Sequence, residues 1–80
     1  MKNYDNLTPE YTGPVYWLSP LTRCDMCGSQ FHGTMYDARV QGCWGNVCHS
    51  CFTLDGGRLG TGLGQKYELQ DDGRWLKVAG

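Results

Sequence analysis

Two Cys-x-x-Cys pairs, Cys24-Asp-Met-Cys27 and Cys48-His-Ser-Cys51, constrain this chain more than anything else in it. Twenty residues separate the pairs, and the spacing C-x2-C-x20-C-x2-C is that of a four-cysteine metal site. Each short turn aims two sulfurs at one point, and the excursion between them must bring back the second pair. Four thiolates at about 2.3 Å complete a tetrahedron around zinc. Gly28 follows the first pair and allows the positive φ that turns backbone N–H groups towards sulfur. The second pair is followed by Phe52 instead, so its turn is expected to lead into a helical turn.

The metal reading gains weight from the size of the chain. Eighty residues make one small domain, and such a domain buries only about 60–65% of its unfolded surface. Isoleucine is absent, glycine occurs twelve times, and aliphatic side chains are few, so the core alone is a weak source of stability. Disulfides are the other remedy for a small core. The start of the chain reads as carrying no secretory leader, and five cysteines cannot all pair, so reduced thiols and a metal are expected. No run approaches the ~18 apolar residues of a membrane span, and no membrane role is expected.

Cys24, Cys27, Cys48 and Cys51 are therefore the expected ligands of one structural Zn2+. Cys43, His32 and His49 are the donors that could replace one of them. His49 lies between two ligands, where a side chain points outwards, His32 falls in a strand-like segment, and Cys43 is expected to be a small buried hydrophobe. Four protein donors leave no position for water, so the ion holds the fold and activates no nucleophile. Iron in a rubredoxin-like electron carrier remains as a remote alternative, because an all-sulfur tetrahedron suits either metal. No βαβ pattern surrounds either pair, which argues against a thioredoxin-like redox motif.

The fold class expected is small, metal-stabilised and mostly β: a zinc ribbon with two knuckles and a C-terminal β-hairpin. Residues 1–14 read as an extended N-terminal arm and residues 15–80 as the zinc-ribbon-like domain. Short strands are expected at 15–18, 31–36 and 38–44, with a turn at Asp37 between the last two. Residues 51–57 can form a helical turn ended by Gly56 and Gly57. Asp72-Gly73 predicts a two-residue type I′ turn, which pairs Tyr67 with Val78, Glu68 with Lys77 and Leu69 with Leu76. Tyr67, Leu69, Leu76 and Val78 would then share an apolar face.

Between the second knuckle and this hairpin, residues 56–64 contain five glycines. No Gly-Lys-Ser/Thr follows, so the run is not a P-loop. It reads as a tight loop, whose Leu59 and Leu63 are the natural apolar contacts for a partner.

The segments GCWGNVCHSCF, GRLGTGLGQKYEL and DGRWLKVAG, taken together, resemble a group of small zinc-ribbon-like proteins of unknown function encoded by tailed bacteriophages and prophages. That group places a Trp before a Cys-x-x-Cys, here Trp44 before Cys48 and Cys51. A Gly-Leu-Gly-Thr-Gly-x-Gly-Gln-x-Tyr run follows, here residues 59–67 in part, and then a Trp-bearing terminal strand, here Trp75. The resemblance covers roughly residues 24–80. It departs where the group has proline and this chain has Cys43, and in the residues before Gly60. It implies zinc and a phage origin, with the chain in the host cytoplasm or the virion, and it implies no particular activity.

Function is then a choice between classes. Nucleic-acid affinity rests on lysine and arginine neutralising phosphates, and here seven basic residues face eight acidic ones. Four thiolates and a divalent ion take the formal charge from −1 to −3. Lys2, Arg23, Arg39, Arg58, Lys66, Arg74 and Lys77 form no run, which ranks a nucleic-acid-binding zinc ribbon second. No carboxylate–histidine set suggests an enzyme. Ten aromatics exceed the needs of one small core. Tyr4, Tyr11, Tyr16, Trp17 and Trp75 are expected to be exposed in part, as at protein contact surfaces. The first reading is a protein-interaction module docking on a virion component or a host protein, with Leu59, Leu63, Trp17 and Trp75 as its contacts.

Overall fold

The computed structural model describes residues 13–17 and 20–80. Most of the arm assigned to residues 1–14, with Tyr4 and Tyr11, lies outside the described residues, as does the end of the strand expected at 15–18.

Among the described residues, five antiparallel strands form one sheet: β1 (Tyr16–Trp17), β2 (Thr34–Val40), β3 (Cys43–Val47), β4 (Gly64–Leu69) and β5 (Trp75–Ala79). Their order across the sheet is β1-β5-β4-β2-β3. A short helix, α1 (His49–Leu54), follows β3 directly and packs on β2. The architecture is the small, mostly β one expected, with two Cys-x-x-Cys corners and a C-terminal hairpin. Among the described residues no helix is long and apolar enough to cross a membrane.

Residues 34–40 make an interior strand, between β4 and β3, because both of its faces can be buried. Tyr36, Ala38 and Val40 lie on one face, and Met35 lies on the other opposite Tyr67. The Tyr36 ring stacks on Phe52 of α1, 3.9 Å between centroids and 10° from parallel. On the Met35 side, Trp75 meets Phe31 edge-on at 5.6 Å and Trp17 meets Tyr67 at 5.8 Å. Aromatic rings thus supply much of the burial that the missing aliphatics do not.

Two turns correct the sequence reading. The chain does not turn at Asp37, which lies within β2. It turns at Gln41 and Gly42, whose φ values of 50° and 78° are those of a type I′ hairpin. The second correction concerns the C-terminal hairpin. Its loop holds three residues, with Gly73 N–H bonded to the Gln70 carbonyl, Gln70 N–H to the Arg74 carbonyl, and Gly73 at φ 88°. This is a type I turn closed by a left-handed glycine. The pairing is consequently Leu69 with Trp75, Glu68 with Leu76 and Tyr67 with Lys77, with a bulge between Lys66 and Tyr67.

That slip of one residue exchanges the faces of β5. Trp75, expected at the surface, is buried at 3% exposure, and its indole N–H bonds the Leu21 carbonyl. Val78 and Leu69, expected on the apolar face, are exposed.

Candidate metal centre

Residues 22–31 fold back on themselves as a small hairpin. Phe31 N–H bonds the Thr22 carbonyl, and Arg23 bridges Gln30. Cys24 and Cys27 occupy its tip. Gly28 takes φ 75° there and bonds the Cys24 carbonyl, so the residue after the first pair does what its type allows. The backbone N–H groups of Met26 and Cys27 approach the Cys24 sulfur at 3.3 and 3.5 Å.

The second pair is built differently. Cys48 is the N-cap of α1, with extended backbone angles, and Cys51 follows within the first turn. Phe52 N–H closes on the Cys48 carbonyl at 2.9 Å. The helix ends at Asp55, after which Gly56 takes φ 78° and Gly57 N–H returns to the Phe52 carbonyl, a Schellman closure.

Two hydrogen bonds hold the halves together. Asp25 N–H donates to the Asn46 carbonyl at 2.8 Å, and Asn46 N–H donates to the Asp25 carboxylate at 2.9 Å. β3 is an edge strand, and Asp25 thereby covers the outward-facing backbone of Asn46, two residues before Cys48.

The four sulfurs of Cys24, Cys27, Cys48 and Cys51 lie within 4.8 Å of one another, and all five cysteines are free thiols. Cys27 and Cys48 sulfurs are 3.8 Å apart. A tetrahedron with metal–sulfur bonds of about 2.3 Å has edges of about 3.8 Å, so the donors fit one ion. Cys24 is buried, Cys48 and Cys51 are half-buried, and Cys27 is open to solvent.

Electrostatics also suit a cation. The Ser29 hydroxyl, with its backbone N–H, lowers the Cys27 pKa to about 6. Burial works against the Cys24 thiolate, yet the amides of Cys27, Cys48 and Met26 outweigh it and lower that pKa too. Burial, and then the neighbouring sulfurs, push Cys51 upwards. Hydrogen-bond donors thus favour negative sulfur at Cys24 and Cys27, while burial and the neighbouring sulfurs disfavour it at Cys51 unless positive charge is present. The arrangement is a metal-binding site of four cysteines.

The competing donors lie outside the sulfur cluster, although His32 and His49 line a cavity beside Cys27 and Cys48. The Tyr36 hydroxyl and His49 Nδ1 share a hydrogen bond of 3.0 Å, and His49 Nε2 is 3.5 Å from the Thr53 hydroxyl. His32 is exposed and outside the sulfur cluster. Cys43, expected to be buried, is exposed beside the Gln41–Gly42 turn, at the start of edge strand β3.

The expected partner contacts divide. Leu59 and Leu63 are exposed at 43% and 40%, Trp17 is half-buried against Tyr67, and Trp75 belongs to the core. Sequence reasoning missed the surface position of Trp44, which is 49% exposed on edge strand β3 and donates its indole N–H to Asp37 at 2.7 Å.

Fold and site together define a small, mostly β protein organised around a four-cysteine metal centre. Models of known protein families, curated proteins and solved structures give no match to the chain.

Proposed function

We propose that this chain is a non-enzymatic, zinc-stabilised module of phage type that docks on another protein, either a virion component or a host protein. The observation that carries the reading is the coexistence of a closed donor set with apolar side chains left at the surface. Four cysteines use every position of a tetrahedral ion, which favours a structural role. Meanwhile Trp44, Leu59 and Leu63 stand exposed on β3 and the glycine loop. Zinc is favoured over rubredoxin-like iron because the two knuckles are unlike: one carries Gly28 and the other runs into α1.

Two of the cations are already engaged, which supports ranking nucleic acid second. Arg74 is tied to Asp72 at 2.8 Å and lies 4.0 Å above the Tyr16 ring, and Arg23 bonds the Gly28 carbonyl. The test is salt. Zinc-loaded protein should hold its protein partner at about 1 M salt, where the Debye length is about 3 Å, and should lose it on joint Leu59→Ser and Leu63→Ser substitution with zinc still bound. It should show no submicromolar affinity for nucleic acid at about 0.15 M salt. Tight, salt-sensitive nucleic-acid binding abolished by Arg58→Ala and Lys66→Ala would replace this reading with the other.

A further inference from the structure

Between the Gln41–Gly42 turn and the glycine loop lies an open groove of about 260 Å³ lined by Arg39, Gln41, Gly42, Gly56, Arg58 and Leu63. Arg39 N–H bonds the Leu63 carbonyl at 3.0 Å, which ties strand and loop together at the groove floor. The close pass of Gly64 beneath the Arg58 carbonyl, against Ala38, fixes the place of Arg58. Both guanidinium groups are exposed, and neither has an ion-pair or hydrogen-bond partner among the described residues.

Two acidic side chains stand close by, and each is engaged otherwise. Asp55 accepts the Gln41 amide at 2.7 Å, and Asp37 accepts the Trp44 indole N–H. Trp44 lies directly across from Arg39 in the β2–β3 ladder, so the two side chains share a face. The groove therefore offers two unneutralised forks and Leu63, and an exposed indole stands across the ladder from Arg39.

We propose that this groove binds a carboxylate-bearing segment of the partner protein, with Arg39 and Arg58 taking its carboxylates and Leu63 and Trp44 receiving an adjoining apolar side chain. The proposal rests on the protein-docking reading above and adds a salt-sensitive component to it: the carboxylate contacts weaken as salt rises, while the apolar contacts of Leu59 and Leu63 hold the partner at about 1 M. A guanidinium matches a carboxylate with two parallel hydrogen bonds, and an indole beside it accepts apolar surface. An extended phosphate backbone is disfavoured because Arg23 and Arg74 are engaged elsewhere, with the Gly28 carbonyl and Asp72, and do not continue the two groove cations into a basic track.

The experiment uses the zinc-loaded 80-residue chain and the peptide acetyl-Glu-Leu-Glu-Asp-Leu-Glu-amide, followed by the arginine Nε–H and tryptophan indole signals in NMR. The expected result is saturable movement of Arg39, Arg58 and Trp44, with Arg23 and Trp75 unmoved. Arg39→Gln and Arg58→Gln should each weaken binding roughly tenfold, the loss of one charge-assisted contact, while amide dispersion is retained. Arg23→Gln should change nothing. The lysine-for-acid peptide should not bind.

Shifts spread over all the arginines, or binding unchanged in both groove variants, would overturn the proposal. If the peptide fails while Leu63→Ser still abolishes salt-tolerant partner retention, the groove assignment is wrong and the docking reading stands. If oligo(dT) occupies the same arginines more tightly than the peptide, both are wrong.

Discussion

Asp25 and Asn46 exchange two hydrogen bonds, backbone to backbone at 2.8 Å and backbone to carboxylate at 2.9 Å, across the gap between the first knuckle and the edge of the sheet. These contacts, together with the metal, convert two sequence-local turns into one site. Asp25→Ala removes the acceptor for Asn46 N–H and should cost about 1 kcal/mol, since that amide is open to water when released. Asp25→Asn keeps an oxygen acceptor and should recover most of the loss. Urea midpoints of the two zinc-loaded variants decide this. Equal loss in both would place the effect on charge instead of geometry.

Gly64 tests the packing of the glycine loop. A Cβ there would lie 2.6 Å from the Arg58 carbonyl oxygen and 2.7 Å from the Ala38 Cβ, the latter held within β2. Gly64→Ala should therefore destabilise by about 1–3 kcal/mol. Gly62 has nothing within 4 Å of such a Cβ and only its φ of 76° to object, so Gly62→Ala should cost about 1 kcal/mol. Denaturation of the pair side by side gives the comparison, and the order reversed would show the loop to be placed otherwise.

The tryptophans should separate fold from surface. Trp75→Ala empties the centre of the aromatic core and should cost about 3–5 kcal/mol, enough to unfold most of so small a domain. Trp44→Ala should cost about 1 kcal/mol or less, because half of its surface is already in water. Amide dispersion of the two variants at 25 °C is the readout. A well-folded Trp75→Ala protein would contradict the observed C-terminal register.

The metal centre was legible in the sequence because coordination chemistry imposes its own spacing, and nothing else explains Cys24, Cys27, Cys48 and Cys51 as well. Hairpin registers were less so. Asp71-Asp72-Gly73 fits a two-residue turn with Gly73 as its second residue and a three-residue turn with Gly73 as the closing left-handed residue. Only tertiary packing, the demand of Phe31 and Leu21 for the Trp75 indole, separates the two. The turn at Gln41 was hidden for another reason. Gln41 holds φ 50°, an uncommon place for a long side chain, while Asp37 looked like a turn former and serves within a strand to hold Trp44. The side chains of the groove, Arg39 and Arg58, lie nineteen positions apart, and no local pattern joins them.

We propose that a zinc ion at the four cysteines holds this fold. The most direct measurement is the two-dimensional amide spectrum of the protein with and without metal, alongside elemental analysis. About one zinc per chain is expected, with dispersion and the buried Trp75 indole signal lost on adding a strong chelator and restored by zinc. Cys24→Ser and Cys51→Ser should give the collapsed spectrum outright, and Cys43→Ser the folded, zinc-loaded one. A metal-free protein that keeps its dispersion and its Trp75 signal would contradict the account.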